Sequence, residues 1–232
     1  MTAQEILIEL KTLSTPDHLA KIAHFGIDNS KAFGVKVPLL RQLAKKTGKN
    51  HTLALELWNT DIHEARLLAS MIEHPAAIDE LQFDLWVADF DSWDICDQCC
   101  SILGKTPYAL RKIEEYSNSS EEYIKRTAFV LMFEQAVHHK EVENEQFYHF
   151  FELIEREACD NRNFVRKAVN WALRQIGKRN EILRIKALET CEHLLIQNSK
   201  SARWIANDAI RELNSQAVIT RLSSKKIKII LK

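Results

Sequence analysis

A basic residue followed by small and apolar residues recurs about every 40 positions in the second half of the chain. The segments that contain Arg126, Arg166 and Arg203 can be laid over one another, with the arginines at spacings of 40 and 37 residues. A fainter copy surrounds Arg66. A period of this length predicts repeated helix pairs, each of which buries its apolar face by stacking on its neighbours.

Composition favours helices over strands. The 232 residues include only 5 Gly and 4 Pro, which leaves little turn chemistry for a sheet-rich protein. The chain is rich in residues that form helices or pack between them. We therefore predict an all-α fold, a HEAT-like helical-repeat solenoid with a concave basic cleft lined by the repeated arginines. A bundle with three helices per repeat is the open alternative.

Short connectors join the predicted helices, and no linker divides them. We predict a single α-solenoid domain over residues 1–232. Within it, residues 1–30 form N-terminal capping helices and residues 31–214 carry the HEAT-like repeats. Residues 215–232 form a basic C-terminal tail, either a last short helix or a partly mobile end.

Charge is segregated along the chain although it sums to zero, with 32 basic and 32 acidic residues. Residues 31–50 carry six bases and no acid, and residues 221–232 carry five bases and no acid. Residues 162–186 carry eight bases against one acid, while acids collect in residues 141–160. This distribution can present a basic face to a polyanion, although each run can also be a solvated helix face.

The five cysteines are predicted to be reduced thiols, most of them buried. Cys96 and Cys99 have the CxxC spacing of a zinc ligand pair, but no second pair at similar spacing completes a structural site. No metal and no other cofactor is expected. The sequence has no signal peptide and no apolar run of about 18 residues, so we expect a cytoplasmic protein that does not enter a membrane.

Residues 89–103 combine an aromatic ring with several carboxylates at a predicted helix start. Asp91 or Ser92 is expected to cap this helix, because either side chain can accept a hydrogen bond from a free backbone N–H of the first turn. Trp93 and Asp97 are four residues apart and therefore share one helix face. The pair is either a core aromatic with a solvated neighbour or a site for a flat cationic ligand.

A second tryptophan lies among bases on the helix predicted for residues 163–178. Spacings of three and four place Lys167, Trp171 and Arg174 on a shared face. A nucleic-acid contact uses cations for phosphate and a flat ring for a base or sugar. The alternative is that Trp171 is a core residue beside a solvated basic stripe.

Together these segments resemble the DNA alkylation repair family, the HEAT-like alkylpurine DNA glycosylases of the AlkD type. The resemblance rests on Trp93-x-x-x-Asp97, Lys-Arg126-x-Ala, Lys167-Ala-x-x-Trp171-x-Leu-Arg174 and Ser201-Ala-Arg203-Trp-Ile-Ala. It extends over most of the chain, in the same order. It implies excision of N3- and N7-alkylated purines from duplex DNA by cleavage of the N-glycosidic bond, without a metal and with the lesion held in the base stack.

The resemblance also implies roles for individual residues. Trp93 and Trp171 would be the aromatic pair beside the damaged nucleotide. Asp97 would be the carboxylate that stabilises the sugar cation, and Arg126 the supporting arginine, with Lys125 as its rival for that role. Candidates for contacts to the DNA backbone are Lys36, Lys45, Arg166, Lys167, Arg174 and Arg203.

The sequence therefore predicts a monomeric, monofunctional DNA-alkylpurine glycosylase whose partner is double-stranded DNA with alkylated bases. It would be associated with the nucleoid when bound to DNA. Two alternatives stay open. One is a non-catalytic HEAT-like protein that binds branched or distorted DNA, and the other is a scaffold that binds a protein.

Overall fold

The computed structural model describes the backbone of residues 1–230 and the side chains of residues 1–224. The described chain consists of fourteen α-helices and one short 3-10 helix, Pro75–Ala77, and it contains no strand. The helices are α1 (Ala3–Thr12), α2 (Pro16–His24), α3 (Val37–Thr47), α4 (His51–Trp58), α5 (His63–Ile72), α6 (Glu80–Ala88), α7 (Trp93–Leu103), α8 (Ala109–Ser117), α9 (Glu122–His138), α10 (Asn144–Glu157), α11 (Asn163–Gly177), α12 (Glu181–Ile196), α13 (Lys200–Leu213) and α14 (Gln216–Ile230). The predicted all-α class is confirmed.

The predicted basic tail is helical, because α14 spans most of it. The side chains of residues 225–232, which carry four of its lysines, lie outside the described part of the chain. No described helix is long and apolar enough to cross a membrane. All five cysteines are free thiols, and only Cys159 is exposed.

The helices group into two compact units, an N-terminal unit of residues 1–109 and a C-terminal unit of residues 110–232. The prediction of one continuous domain with a concave cleft stays a prediction.

In the N-terminal unit, α5 is the central helix and contacts α3, α4 and α7. Its apolar side chains Leu67, Leu68 and Ile72 are buried, as are the polar side chains of Glu64 and Arg66. Buried polar groups cost free energy unless they are paired. The buried polar side chains of α5 therefore form hydrogen bonds and ion pairs with the surrounding loops, and these contacts hold the loops in place.

The buried carboxylate of Glu64 fixes the loop between α2 and α3. Its two oxygens accept hydrogen bonds from the backbone N–H groups of Phe33, Gly34 and Val35, at 2.8, 2.6 and 3.0 Å. Gly34 has a φ of 79°, and a Cβ there would lie 2.8 Å from the carbonyl oxygen of Thr15. A residue with a side chain would therefore be both strained and crowded at this position.

In the C-terminal unit, α11 is the central helix and contacts α9, α10, α12 and α13. Its buried residues recur every three or four positions, which gives one continuous apolar face. They are Val165, Ala168, Val169, Ala172, Leu173 and Ile176. The helix also presents a polar edge to α13, where Asn170 meets Asp208 and Arg174 meets Glu212. Contacts that advance in step along both helices mean that α11 and α13 run parallel, as successive units of a repeat do.

Candidate active-site and nucleic-acid-binding residues

Helix α7 begins at Trp93, with Ser92 in the N-cap position. The prediction that a side chain of Asp91 or Ser92 caps this helix is wrong. No side-chain cap bond forms at Ser92, and its buried hydroxyl has no hydrogen-bond partner among the described residues. The carboxylate of Asp91 instead turns toward Arg66, at 3.8 Å. A buried base on α5 therefore competes successfully with the backbone for this side chain.

Arg66 on α5 holds the loop that leads into α7. Its guanidinium donates a hydrogen bond to the backbone carbonyl of Asp89 at 3.2 Å, and it forms an ion pair with Asp61 at 2.9 Å. It also lies over the ring of Trp58, 5.2 Å from the ring centroid. Three kinds of contact thus converge on one buried side chain, so the entrance to α7 is held rigidly.

The first turn of α7 has a second anchor, the pair of His63 and Asp94. The His63 Nε2 lies 2.9 Å from a carboxylate oxygen of Asp94. Burial opposes protonation of His63, but the carboxylate of Asp94 outweighs it, so the pKa of His63 is raised. Asp94 therefore has a structural role, although it belongs to the same acidic stretch as Asp97.

Trp93 and Asp97 lie on one face of α7, one turn apart, and both are half-buried. The opposite face of α7 packs into the core through Cys96, Cys99 and Leu103 among others. This arrangement leaves the indole ring and the carboxylate on the side of the helix that solvent or a ligand can reach.

The indole of Trp93 is oriented by a backbone group that lies much earlier in the chain. Its Nε1–H donates a hydrogen bond to the carbonyl of Phe25, at 3.2 Å. Phe25 directly follows α2, in the C-cap position. The sequence contains no signal for this contact, because every residue supplies the same backbone carbonyl.

In the C-terminal unit, Trp171 stacks on Phe133 of α9, with ring centroids 3.8 Å apart and an angle of 24° between the planes. Trp171 is nevertheless only half-buried. One face of the ring therefore packs on α9 while part of it stays accessible, and its contact to nucleic acid stays a prediction.

Arg126 and Lys125, the two candidates for the basic residue that supports the site, both contact other residues of the C-terminal unit. Arg126 is 5% exposed and donates a hydrogen bond to the carbonyl of Phe164, at 2.6 Å. Lys125 forms an ion pair with Glu157 and lies 3.8 Å from Asp160. Arg126 thus ties α9 to the start of α11, and Lys125 is neutralised by carboxylates. A role for either base at the damaged nucleotide stays a prediction.

The predicted contacts to the DNA backbone fall into two groups. Arg174 is half-buried and forms ion pairs with Glu212 at 2.5 Å and with Asp208 at 3.5 Å, so its charge is largely neutralised. The other five have no carboxylate partner among the described residues. They are Lys36 and Lys45 on or next to α3, Arg166 and Lys167 on α11, and Arg203 on α13.

The four predicted active-site residues are divided between the two units. Trp93 and Asp97 belong to the N-terminal unit and share α7. Arg126 and Trp171 belong to the C-terminal unit, on α9 and α11. Their predicted meeting at one nucleotide stays a prediction.

Sequence reasoning named the segment around Arg203 but gave no role to the ring beside it. Trp204 on α13 is 39% exposed and lies under the guanidinium of Arg166. The repeat is the sequence signal that could have identified Trp204, because this residue directly follows the repeated arginine.

A family model described as a DNA alkylation repair enzyme matches residues 6–213. The chain belongs to the DNA alkylation repair enzyme family. A comparison with curated proteins found no match. A solved structure from "a new family of proteins related to the HEAT-like repeat DNA glycosylases with affinity for branched DNA structures" is similar, with a TM-score of 0.77 and 19% identity, over 91% of this chain and 95% of that one. The likeness confirms the HEAT-like repeat fold.

Proposed function

We propose that this member of the DNA alkylation repair family is a glycosylase that hydrolyses the N-glycosidic bond of N3- or N7-alkylated purines in duplex DNA. The observation that carries the proposal is on α7, where Trp93 and Asp97 share one accessible face directly after a firmly anchored helix start. A ring and a carboxylate in that arrangement suit a substrate whose positive charge moves during the reaction.

The carboxylate of Asp97 matches the charge that develops on the sugar. As the bond between C1′ and the purine nitrogen breaks, its electron pair moves to the purine and cancels the positive charge of the alkylated ring. C1′ and the ring oxygen of deoxyribose take on that charge. A preorganised carboxylate stabilises it, and the same group can orient the water whose oxygen then bonds to C1′. The water gives up a proton, and the products are the free alkylpurine and an abasic site.

The ring of Trp93 is proposed to act beside Asp97. An aromatic face attracts a nearby cation by about 0.5–2 kcal/mol, and its effect on rate is greatest where the charge grows. A ring beside the deoxyribose therefore favours the transition state. Trp171 and Arg126 are proposed to contact the same nucleotide, and each role can be tested by its own variant.

Binding to the DNA backbone is assigned to the basic residues that have no carboxylate partner among the described residues. Lys36 and Lys45 serve in the N-terminal unit, and Arg166, Lys167 and Arg203 serve in the C-terminal unit. Each lysine or arginine that contacts a phosphate releases a counterion from the DNA. The affinity of the protein for DNA should therefore fall steeply between about 50 and 200 mM salt. A monomeric state and a cytoplasmic location belong to the same proposal.

The decisive experiment is release of free base. Purified protein is incubated with duplex DNA that has been methylated chemically, and the soluble bases are separated by chromatography. The proposal predicts release of 7-methylguanine or 3-methyladenine. No release of any alkylated base, from a protein that binds the same DNA, would contradict it.

A second candidate function is recognition of branched DNA without chemistry. The observation that favours it is the structural likeness to a protein family with affinity for branched DNA structures. It predicts tighter binding to a four-way junction than to a duplex, with no base released from either. A scaffold for a protein partner, the third possibility, predicts no salt-dependent affinity for DNA at all.

A further inference from the structure

Half-buried Arg166 and exposed Trp204 form a cation–aromatic pair between α11 and α13. The guanidinium carbon lies 4.6 Å from the centroid of the indole ring. Trp204 stays 39% exposed, although a tryptophan at a helix–helix seam is usually buried. An exposed large aromatic beside a cation is therefore the feature of this seam that packing explains least.

Polar contacts bridge the rest of the same seam. One turn further along, the Asn170 amide donates a hydrogen bond to Asp208 at 2.8 Å. One turn beyond that, Arg174 donates to Glu212 at 2.5 Å. The seam therefore pairs Asn170 and Arg174 of α11 with carboxylates of α13, whereas Arg166 at its first position has no such pair within the described chain.

At that first position the cation is left without an anion. Arg166 has no carboxylate partner among the described residues, and its Nε–H is buried without a hydrogen-bond acceptor. Among the described residues, its side chain makes one hydrogen bond, a long one of 3.5 Å from Nη2 to the side-chain oxygen of Asn163. A buried donor without an acceptor costs free energy, so this guanidinium is suited to receive a negatively charged group.

The surface around the pair carries more unneutralised charge. Lys167 follows Arg166 on α11, and Arg203 precedes Trp204 on α13. Both are exposed, and neither has a carboxylate partner in the described part of the chain. One cation thus lies over the ring, and two more follow or precede the pair in the chain; cations beside an aromatic ring are the combination that binds a nucleotide by its base and its phosphate together.

We propose that Arg166 and Trp204 form a stacking platform for an unpaired nucleobase of DNA, with Lys167 and Arg203 on the adjacent phosphates. A base inside a duplex is covered by its neighbours above and below, so its face is closed to a protein ring. Trp204 can therefore stack only on a nucleotide that has left the helix, as at a fork, a gap or a junction. The inference rests on the proposed function in one respect, that the ligand is DNA.

The test compares two labelled DNAs that differ only in an unpaired arm. One is a plain duplex, and the other is the same duplex extended by a short single-stranded arm that contains 2-aminopurine. Wild-type protein, Trp204→Ala and Trp204→Phe are titrated against both. Tyr148→Ala is the matched control, because Tyr148 is a 37% exposed aromatic of the same unit that lines a groove between α10 and α12.

Stacking on one aromatic side chain is worth about a tenfold change in affinity. We expect Trp204→Ala to lose about tenfold in affinity for the armed DNA while its affinity for the duplex changes less than twofold. Trp204→Phe should recover most of the loss, and Tyr148→Ala should match the wild type. Quenching of 2-aminopurine fluorescence on binding should occur with the wild type and Trp204→Phe and disappear with Trp204→Ala.

Three results would overturn the platform. Trp204→Ala could bind and quench like the wild type, or it could lose affinity for both DNAs equally, which would assign the ring a structural role. In both of these cases the wild type still binds DNA, and base release still tests the proposed glycosylase separately. If the wild type binds neither DNA, the platform and the proposed function fall together.

Discussion

The indole N–H of Trp93 donates a hydrogen bond to the backbone carbonyl of Phe25, 68 residues earlier in the chain. The loop that follows Phe25 is fixed in turn by the buried carboxylate of Glu64. The orientation of the proposed active-site ring therefore depends on α5, a helix that carries none of the proposed active-site residues.

Loss of this hydrogen bond should slow base release less than loss of the whole ring. Trp93→Phe keeps an aromatic face and loses the N–H donor, whereas Trp93→Ala loses both. We expect base release to slow by about threefold for Trp93→Phe and by up to about 30-fold for Trp93→Ala, in line with a cation–π attraction of about 0.5–2 kcal/mol. Single-turnover rates at saturating protein measure the effect. A rate for Trp93→Ala equal to that of the wild type would exclude the ring from the reaction.

Lys167 and Arg174, two bases on the same helix, should behave differently. Lys167→Gln should reduce the slope of log affinity against log salt concentration by about one and leave the free energy of unfolding within about 0.5 kcal/mol of the wild type. Arg174→Gln breaks the ion pairs with Glu212 and Asp208, so it should lower that free energy by about 1–2 kcal/mol. Urea unfolding and salt titrations separate the two effects. Equal loss of stability in both variants would contradict the distinction.

The pair of His63 and Asp94 should make the N-terminal unit less stable at high pH. The pKa of His63 is raised above its ordinary value of 6.5, because the carboxylate of Asp94, helped by Glu64 and Asp91, outweighs the opposing effect of burial. A group whose folded pKa is raised contributes fully below its unfolded pKa, and the contribution is lost as pH rises through the folded pKa.

Asp94→Asn tests this dependence. The free energy of unfolding of the wild type should exceed that of the variant by more at about pH 5.5 than at about pH 8.5. An NMR titration of His63 should give a pKa above 6.5 in the wild type and a lower value in the variant. A difference in stability that does not change with pH would show that the pair acts only through packing.

Much of the fold follows from local patterns in the sequence. The apolar period of α11 and the repeat of arginines near 40 residues predict helix pairs correctly, because both report on faces that must be buried. The start of a helix is harder to locate from sequence: Pro75 opens a short 3-10 turn before α6, and the α-helix begins only at Glu80.

The candidate site was harder to predict, because its contacts join residues far apart in the chain. The carboxylate partners of Arg174 lie 34 and 38 residues later, so a paired base and a solvated base look alike in sequence. The same limit explains the wrong prediction of a side-chain cap at α7, since Arg66 draws Asp91 away from the helix start. Local spacing did place Trp93 and Asp97 on one face, because that relationship needs only the helix itself.

The proposed reaction is tested most directly by Asp97→Asn, a change that keeps the shape of the side chain and removes its charge. Asp84→Asn on the neighbouring helix α6 is the matched control, because Asp84 is also a half-buried aspartate of the same unit. We measure single-turnover release of 7-methylguanine from duplex DNA, together with the affinity of each protein for that DNA. The proposal predicts at least a 100-fold slower release by Asp97→Asn, on the order of an electrostatic contribution of about 3 kcal/mol, with DNA affinity retained and with Asp84→Asn equal to the wild type. Release by Asp97→Asn at the wild-type rate would contradict the proposed mechanism.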